Sequence, residues 1–157
     1  YKEDIELLVE LGIKAFRFSI EWSRIEPEEG KYNQKEIDHY VDKANLLLEK
    51  NITPIVTFHH FTTPEWLMND GLWASEKVIN SFVNYVDVMM KNLPKDITLF
   101  NTINEPGIFS MFGYLSKKKF PPGVQNEKVF VKASQNIIDA HKQSMKKIKE
   151  HNSNAKV

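Results

Sequence analysis

Cysteine is absent from the 157 residues. That removes disulfide frameworks, cysteine-ligated zinc, iron–sulfur clusters and thiol nucleophiles. An excess of either charge is absent too, since 21 basic side chains balance 21 acidic ones. Polyanion binders neutralise phosphates with surplus Lys and Arg, so nucleic acid is not an expected partner. No apolar run approaches the roughly 20 residues that span a bilayer, and no charged-then-apolar leader pattern opens the chain. A membrane is therefore not an expected partner either. Neither G-x-G-x-x-G nor G-x-x-x-x-G-K occurs, so a phosphate-cradling loop is not expected. What remains is a chain that is 41% hydrophobic with ten Phe and three Trp. It is too apolar for disorder and long enough for one domain with a core. It begins at Tyr1 rather than Met, and Val157 falls inside a pattern. It reads as a piece of something longer.

Periodicity divides the chain into alternating elements. Ile5, Leu8, Val9 and Leu11 keep helical spacing over 2–11, and Gly12 offers a left-handed stop. Over 13–20, Phe16, Phe18 and Ile20 alternate with Arg17 and Ser19, which predicts a strand. Residues Glu21 to Lys31, with Pro27 and Gly30, read as a long loop. Asn33 and Glu36 resemble a capping box ahead of a helix over 34–50, whose apolar face is Ile37, Tyr40, Val41, Ala44, Leu47 and Leu48. A second strand is predicted over 52–59, then a loop holding Pro64 and Gly71, then a helix over 75–91. The third strand spans 97–104, and a long loop runs from Gly107 to Asn126. A last helix follows over 127–150, and Ala155-Lys156-Val157 opens a further strand. Strict alternation implies parallel strands with crossover helices, the α/β class. The loops after strands are the long ones, and in such folds the site gathers at the strands' C-terminal ends.

Ionisable and polar residues collect at those ends. Glu105 can serve as a general acid if partial burial raises its pKa; equally, Asn104-Glu105-Pro106 can simply turn the chain. His59 and His60 are adjacent on a strand, point to opposite faces and cannot chelate one ion together. One is expected to face a pocket and bond a ligand while the other packs, and no metal is expected. Arg17 is either a salt-bridge partner or a fixed charge that orients a carboxylate. Trp22, Phe61, Trp66 and Trp73 lie in post-strand loops, where aromatics either pack or face flat apolar ligands such as sugar rings. His141, mid-helix on an apolar stripe, reads as a core histidine.

These residues together resemble family 1 glycoside hydrolases, the β-glucosidase type. The resemblance is carried by Leu11-Gly12-Ile13-Lys14-Ala15-Phe16-Arg17-Phe18-Ser19-Ile20-Glu21-Trp22-Ser23-Arg24-Ile25-Glu26-Pro27, by Thr57-Phe58-His59-His60-Phe61-Thr62-Thr63-Pro64, by Gly71-Leu72-Trp73 and by Phe100-Asn101-Thr102-Ile103-Asn104-Glu105-Pro106. Gly113-Tyr114 and Pro122-Gly123 also fall in order. The resemblance implies a single partial (β/α)8 barrel over 1–157, from helix 1 to the start of strand 5. It implies retaining hydrolysis of β-glycosides, a reaction that uses two carboxyl groups about 5–5.5 Å apart. Glu105 matches the acid/base, Asn104 the residue that bonds the sugar 2-hydroxyl, His60 a glycone ligand, and Arg17 the arginine beside the nucleophile. Phe61 stands at a substrate-binding position where Trp is usual, Thr62 where Asp is common, and Phe100 where Trp often precedes the motif. The nucleophile Glu, in a Thr-Glu-Asn-Gly-like motif, has no counterpart among these residues. The expected partner is a β-glycoside or oligosaccharide, with no cofactor. Open sheet edges predict self-association or pairing with the rest of the barrel, and the isolated chain is expected to be inactive. Neutral charge without cysteine fits a cytoplasmic location. A non-catalytic carbohydrate-binding remnant of the fold is the alternative, and another (β/α)8 glycosidase a third reading.

Overall fold

A computed structural model describes residues 1–116 and 120–157. Three parallel strands, β1 (Ala15–Ser19), β2 (Thr53–His59) and β3 (Leu99–Ile103), lie side by side in chain order. Among the described residues six helices accompany them: α1 (Lys2–Glu10), α2 (Trp22–Ile25), α3 (Gln34–Glu49), α4 (Lys77–Asn92), α5 (Pro106–Tyr114) and α6 (Glu127–His151). Short 3-10 turns cover Glu65–Asp70 and Leu72–Ala74. Ser19 pairs with Thr57 and His59 with Ile103, so the strands finish nearly level and their C-terminal ends share one rim. Lys156 takes the free edge of β3 at one parallel bridge to Leu99, accepting from Phe100 N and donating to Thr98 O. The three strands form an open sheet, not a closed barrel.

The period-two pattern of β1 becomes an inside and an outside. Phe18 and Ile20 are buried, Phe16 is half-buried, and Arg17 is exposed between them. On the buried side Val56 and Phe58 of β2 and Phe100 of β3 join a core closed by Phe82, Tyr85, Val86 and Met89 of α4. Each such side chain removed from water contributes about 1.5–3 kcal/mol.

Three local readings change. The Glu21–Lys31 segment holds α2, because Glu21 caps Ser23 N and Trp22 and Ile25 enter the core. The span 107–126 opens with α5 rather than a loop. Pro106 at its first position has the φ a helix needs and no amide hydrogen to satisfy; the apolar, Gly-containing run Pro106–Tyr114 hid it. Asn33 accepts from Glu36 N, but the return bond of a capping box is not made. Asn33 N donates to Ile25 O, and the Glu36 carboxylate pairs with Arg24 instead.

Candidate active site

Glu105 sits where β3 turns into α5. Its backbone is left-handed, at φ 44° and ψ 56°, a region that carries strain for any side chain beyond Gly, Asn or Asp. Its carbonyl accepts from Phe109 N at 2.9 Å, which starts the helix. Its side chain does not cap α5. Among the described residues the Glu105 carboxyl has no hydrogen-bond or ion-pair partner, and the residue is exposed. The partial burial expected of a general acid is thus not supplied by the described part of this chain.

Asn104, one residue earlier, is 5% exposed. Its N–H donates to His59 O at 2.9 Å, which extends the β2–β3 ladder by one bond. Its Oδ1 accepts from Arg17 Nη2 at 2.9 Å. Arg17 has no salt bridge among the described residues; its partner is this amide, not a carboxylate.

The two histidines separate. His59 is 1% exposed, its ring set edge-on against Trp73 and Phe109 at 5.1 and 4.9 Å. Burial, reinforced by the charge of neighbouring His60, pushes its pKa down to about 3, so it is neutral across the working range. Its Nε2 lies 3.2 Å from Thr63 Oγ1, which also accepts from Trp73 Nε1 at 3.0 Å. His60 is exposed, with Nδ1 2.8 Å from Ser19 Oγ, which leaves Nε2 for a ligand. No group of three or more His, Asp or Glu able to hold a metal occurs among the described residues.

Of the four loop aromatics only Phe61 belongs to the rim. Trp22 and Trp73 are buried at 1% and 0% exposure. Trp22 stacks on Tyr85 at 5.3 Å and donates to the buried Glu26 carboxyl, which burial raises in pKa. Trp66 is half-buried and donates to Glu26 O. Phe61 is half-buried beside His60, with ring centroids 5.0 Å apart, and lines a cleft of about 250 Å³ with Thr62, Met68, Leu72, Phe109 and Pro121. His141 is half-buried, with Nδ1 2.7 Å from Thr102 Oγ1.

The sequence assigned no site role to two rim residues: Ser19, which touches His60, and Glu21, which touches Thr62. Thr62 stood out only as a departure from the family pattern. Ser19 was detectable, since it shares the Arg17 face of the period-two pattern. The contact between Glu21 and Thr62 was not, because it depends on where two loops go.

The chain matches known proteins along its whole length. The family model "Glycosyl hydrolase family 1" matches residues 1–157. β-Glucosidase A of Acetivibrio thermocellus is 37% identical over 158 residues, covering 100% of this chain and 35% of the relative. β-Glucosidase A of Thermotoga maritima is 38% identical over 151 residues, covering 96% and 34%. The solved Thermotoga maritima β-glucosidase in complex with glucoimidazole superposes with a TM-score of 0.93 at 38% identity, over 99% of this chain and 35% of that one. The same enzyme has been solved with deoxynojirimycin. A β-glycosidase from Pyrococcus horikoshii gives a TM-score of 0.92 at 36% identity, over 97% and 36%. The chain thus spans about a third of the length of the relatives it matches, and its sheet is three parallel strands of a (β/α)8 barrel. On its motifs, its fold and a match that runs its whole length, the chain belongs to glycosyl hydrolase family 1.

Proposed function

We propose that the protein carrying this chain hydrolyses β-glycosides with retention, and that this chain supplies the acid/base half of the site. Glu105 protonates the departing glycosidic oxygen as a nucleophilic carboxylate attacks the anomeric carbon. It then takes a proton from the water that releases the glycosyl-enzyme. Asn104 and His60 hold sugar hydroxyls, and Phe61 borders them. Arg17 steadies the nucleophile as well as Asn104. The nucleophile comes from outside these residues, which contain no Thr-Glu-Asn-Gly motif. The 157-residue chain by itself is therefore inactive in this proposal, and its open β-edges pair with the rest of a barrel or with each other. The substrate class is that of its β-glucosidase relatives, two of whose structures hold sugar mimics. A cytoplasmic location belongs to the same proposal, supported by neutral charge and by 36% identity to the human cytosolic β-glucosidase over 92% of the chain. No described helix is long and apolar enough to cross a membrane.

The observation that carries the reading is the Glu105 backbone. A glutamate is held left-handed at a strand end, and its carboxyl neither caps nor pairs among the described residues. A chain that needed only a turn there has Gly or Asn available at lower cost. The test is Glu105→Gln in the complete polypeptide. Hydrolysis of an alkyl β-glucoside, whose leaving group needs a proton, falls by roughly 10²–10⁴-fold, the size of a general-acid contribution. Glycosylation by a dinitrophenyl β-glucoside, whose leaving group needs none, falls far less. Equal losses would remove Glu105 from the role of acid. Binding of sugar mimics without turnover by the unmodified complete polypeptide would favour a carbohydrate-binding remnant.

A further inference from the structure

Backbone pairing between β1 and β2 closes with Ile20 N donating to Thr57 O at 2.9 Å. Beyond it, side chains carry on the link between the same two segments. Ser19 Oγ lies 2.8 Å from His60 Nδ1, and Thr62 Oγ1 donates to Glu21 Oε2 at 2.5 Å. Each rung joins residues 41 apart in sequence, and the two rungs are two residues apart on both segments. Phe61 lies between them at φ +74°, which L side chains rarely adopt and which persists only where the surroundings impose it.

Glu21 is suited to impose it. Its other oxygen, Oε1, accepts from Ser23 N at 3.3 Å and Ser23 Oγ at 2.7 Å, which caps α2. Helix α2 is itself anchored, with Trp22 and Ile25 at 1% and 0% exposure. One carboxylate has acceptor capacity for both tasks. Its Oε2 is therefore a fixed point tied to the core, although the Thr62 hydroxyl it receives is at the surface.

We propose that Glu21 is a positioning residue for the sugar-binding edge. It acts through the Thr62 hydroxyl to hold the left-handed Phe61, so that Phe61 and His60 keep their places beside the glycone. The inference rests on the functional reading above for the identity of the ligand. Released from the latch, Phe61 returns to negative φ, and its ring leaves His60 and the stacked Phe109, now 6.4 Å away. Bound sugar then loses one wall of its site while the reacting carboxyl groups stay where they are. That predicts weakened binding with chemistry intact.

The test is Thr62→Val in the complete polypeptide, a surface change that leaves the α2 cap untouched. KM for an aryl β-glucoside rises about tenfold, which is 1.4 kcal/mol, and kcat stays within about twofold. The dissociation constant of deoxynojirimycin, measured by calorimetry, rises in parallel. Thr62→Ser, which restores the hydroxyl, restores both values. Glu21→Asp still caps α2 but is one methylene too short to reach Thr62, and it reproduces the KM rise. A KM and a dissociation constant within twofold of the unmodified protein in both Thr62→Val and Glu21→Asp would overturn the proposal, as would failure of Thr62→Ser to rescue. If Glu105→Gln retains full alkyl-glucoside turnover, the functional reading alone fails. The deoxynojirimycin measurement then still decides the role of Glu21.

Discussion

Arg17 reaches past the middle strand: its Nη2 donates to Asn104 Oδ1 at 2.9 Å, although β1 and β3 are not neighbours in the sheet. A guanidinium only donates, so the amide oxygen must face it and the amide NH2 must face away. Asn104 is thereby held with a donor turned from Arg17, while its backbone N–H is occupied by His59 O. This one contact couples the first strand to the residue beside Glu105.

Replacing Arg17 with Met should therefore cost more than a charge. The freed amide of Asn104 can rotate and present its oxygen to a sugar hydroxyl that needs a donor. A hydrogen bond to a charged group contributes about 1.5–3 kcal/mol, so kcat/KM for an aryl β-glucoside should drop at least tenfold. The matching 2-deoxyglucoside lacks the hydroxyl assigned to Asn104 and should lose about tenfold less. Lys in place of Arg17 should not rescue the difference, since an ammonium is a point donor on another stem. Identical losses on both substrates would detach Arg17 from Asn104 function.

A second prediction concerns strain at Glu105. A left-handed backbone costs a residue with a Cβ about 1–2 kcal/mol, partly offset in a Gly variant by greater freedom of the unfolded chain. Glu105→Gly should raise stability by about 0.5–1 kcal/mol and lose activity, whereas Glu105→Gln should leave stability unchanged. Denaturant midpoints of the two variants in the complete polypeptide check this. A Gly variant less stable than the Gln variant would mean that the glutamate side chain stabilises the turn, and the strain argument for function would fail.

The fold was legible because its signals are local. Phe16, Phe18 and Ile20 alternate on β1, and the apolar stripe of α4 recurs at 3.6, so period alone separated strand from helix. Helix α5 was not legible, since Pro106, Gly107 and Gly113 read as breakers in sequence although Pro106 serves as a helix start. At the rim, the short runs around His60 and Glu105 stood out because they end strands. The contacts around them did not. Ser19, Glu21 and Thr62 matter only through contacts made across 41 residues, and Arg17 reaches its partner across 87. For the aromatics, packing and ligand contact were both open in the sequence, and local pattern could not divide them. Trp22 and Trp73 lie in segments that read as loops, yet those segments fold into short helical turns that carry the rings into the core.

His59 makes the last prediction, on pH. Its pKa is held near 3 in the folded state by burial, well below the 6.5 of an ordinary imidazole, and among the described residues its Nδ1 has no partner. Between these values the unfolded chain binds a proton that the folded protein refuses. Stability linked to His59 is therefore complete above the unfolded value and declines as pH falls below it. Integrating that proton from pH 7.0 to 5.5 gives a loss of roughly 1 kcal/mol. His59→Phe keeps an aromatic ring against Trp73, Phe82 and Phe109 and carries nothing to protonate. It gives up the contact to Thr63, which still receives the Trp73 indole N–H. The variant should therefore lie within about 1 kcal/mol of the unmodified protein at pH 7, the net size of one neutral hydrogen bond. It should gain on it as the solution is acidified. Denaturant unfolding of both proteins at pH 7.0 and 5.5 isolates the term, because the other four histidines are common to both. Parallel stability changes in the two proteins would show that His59 accepts its proton while folded, and that its place in the aromatic cluster is not the sealed one described.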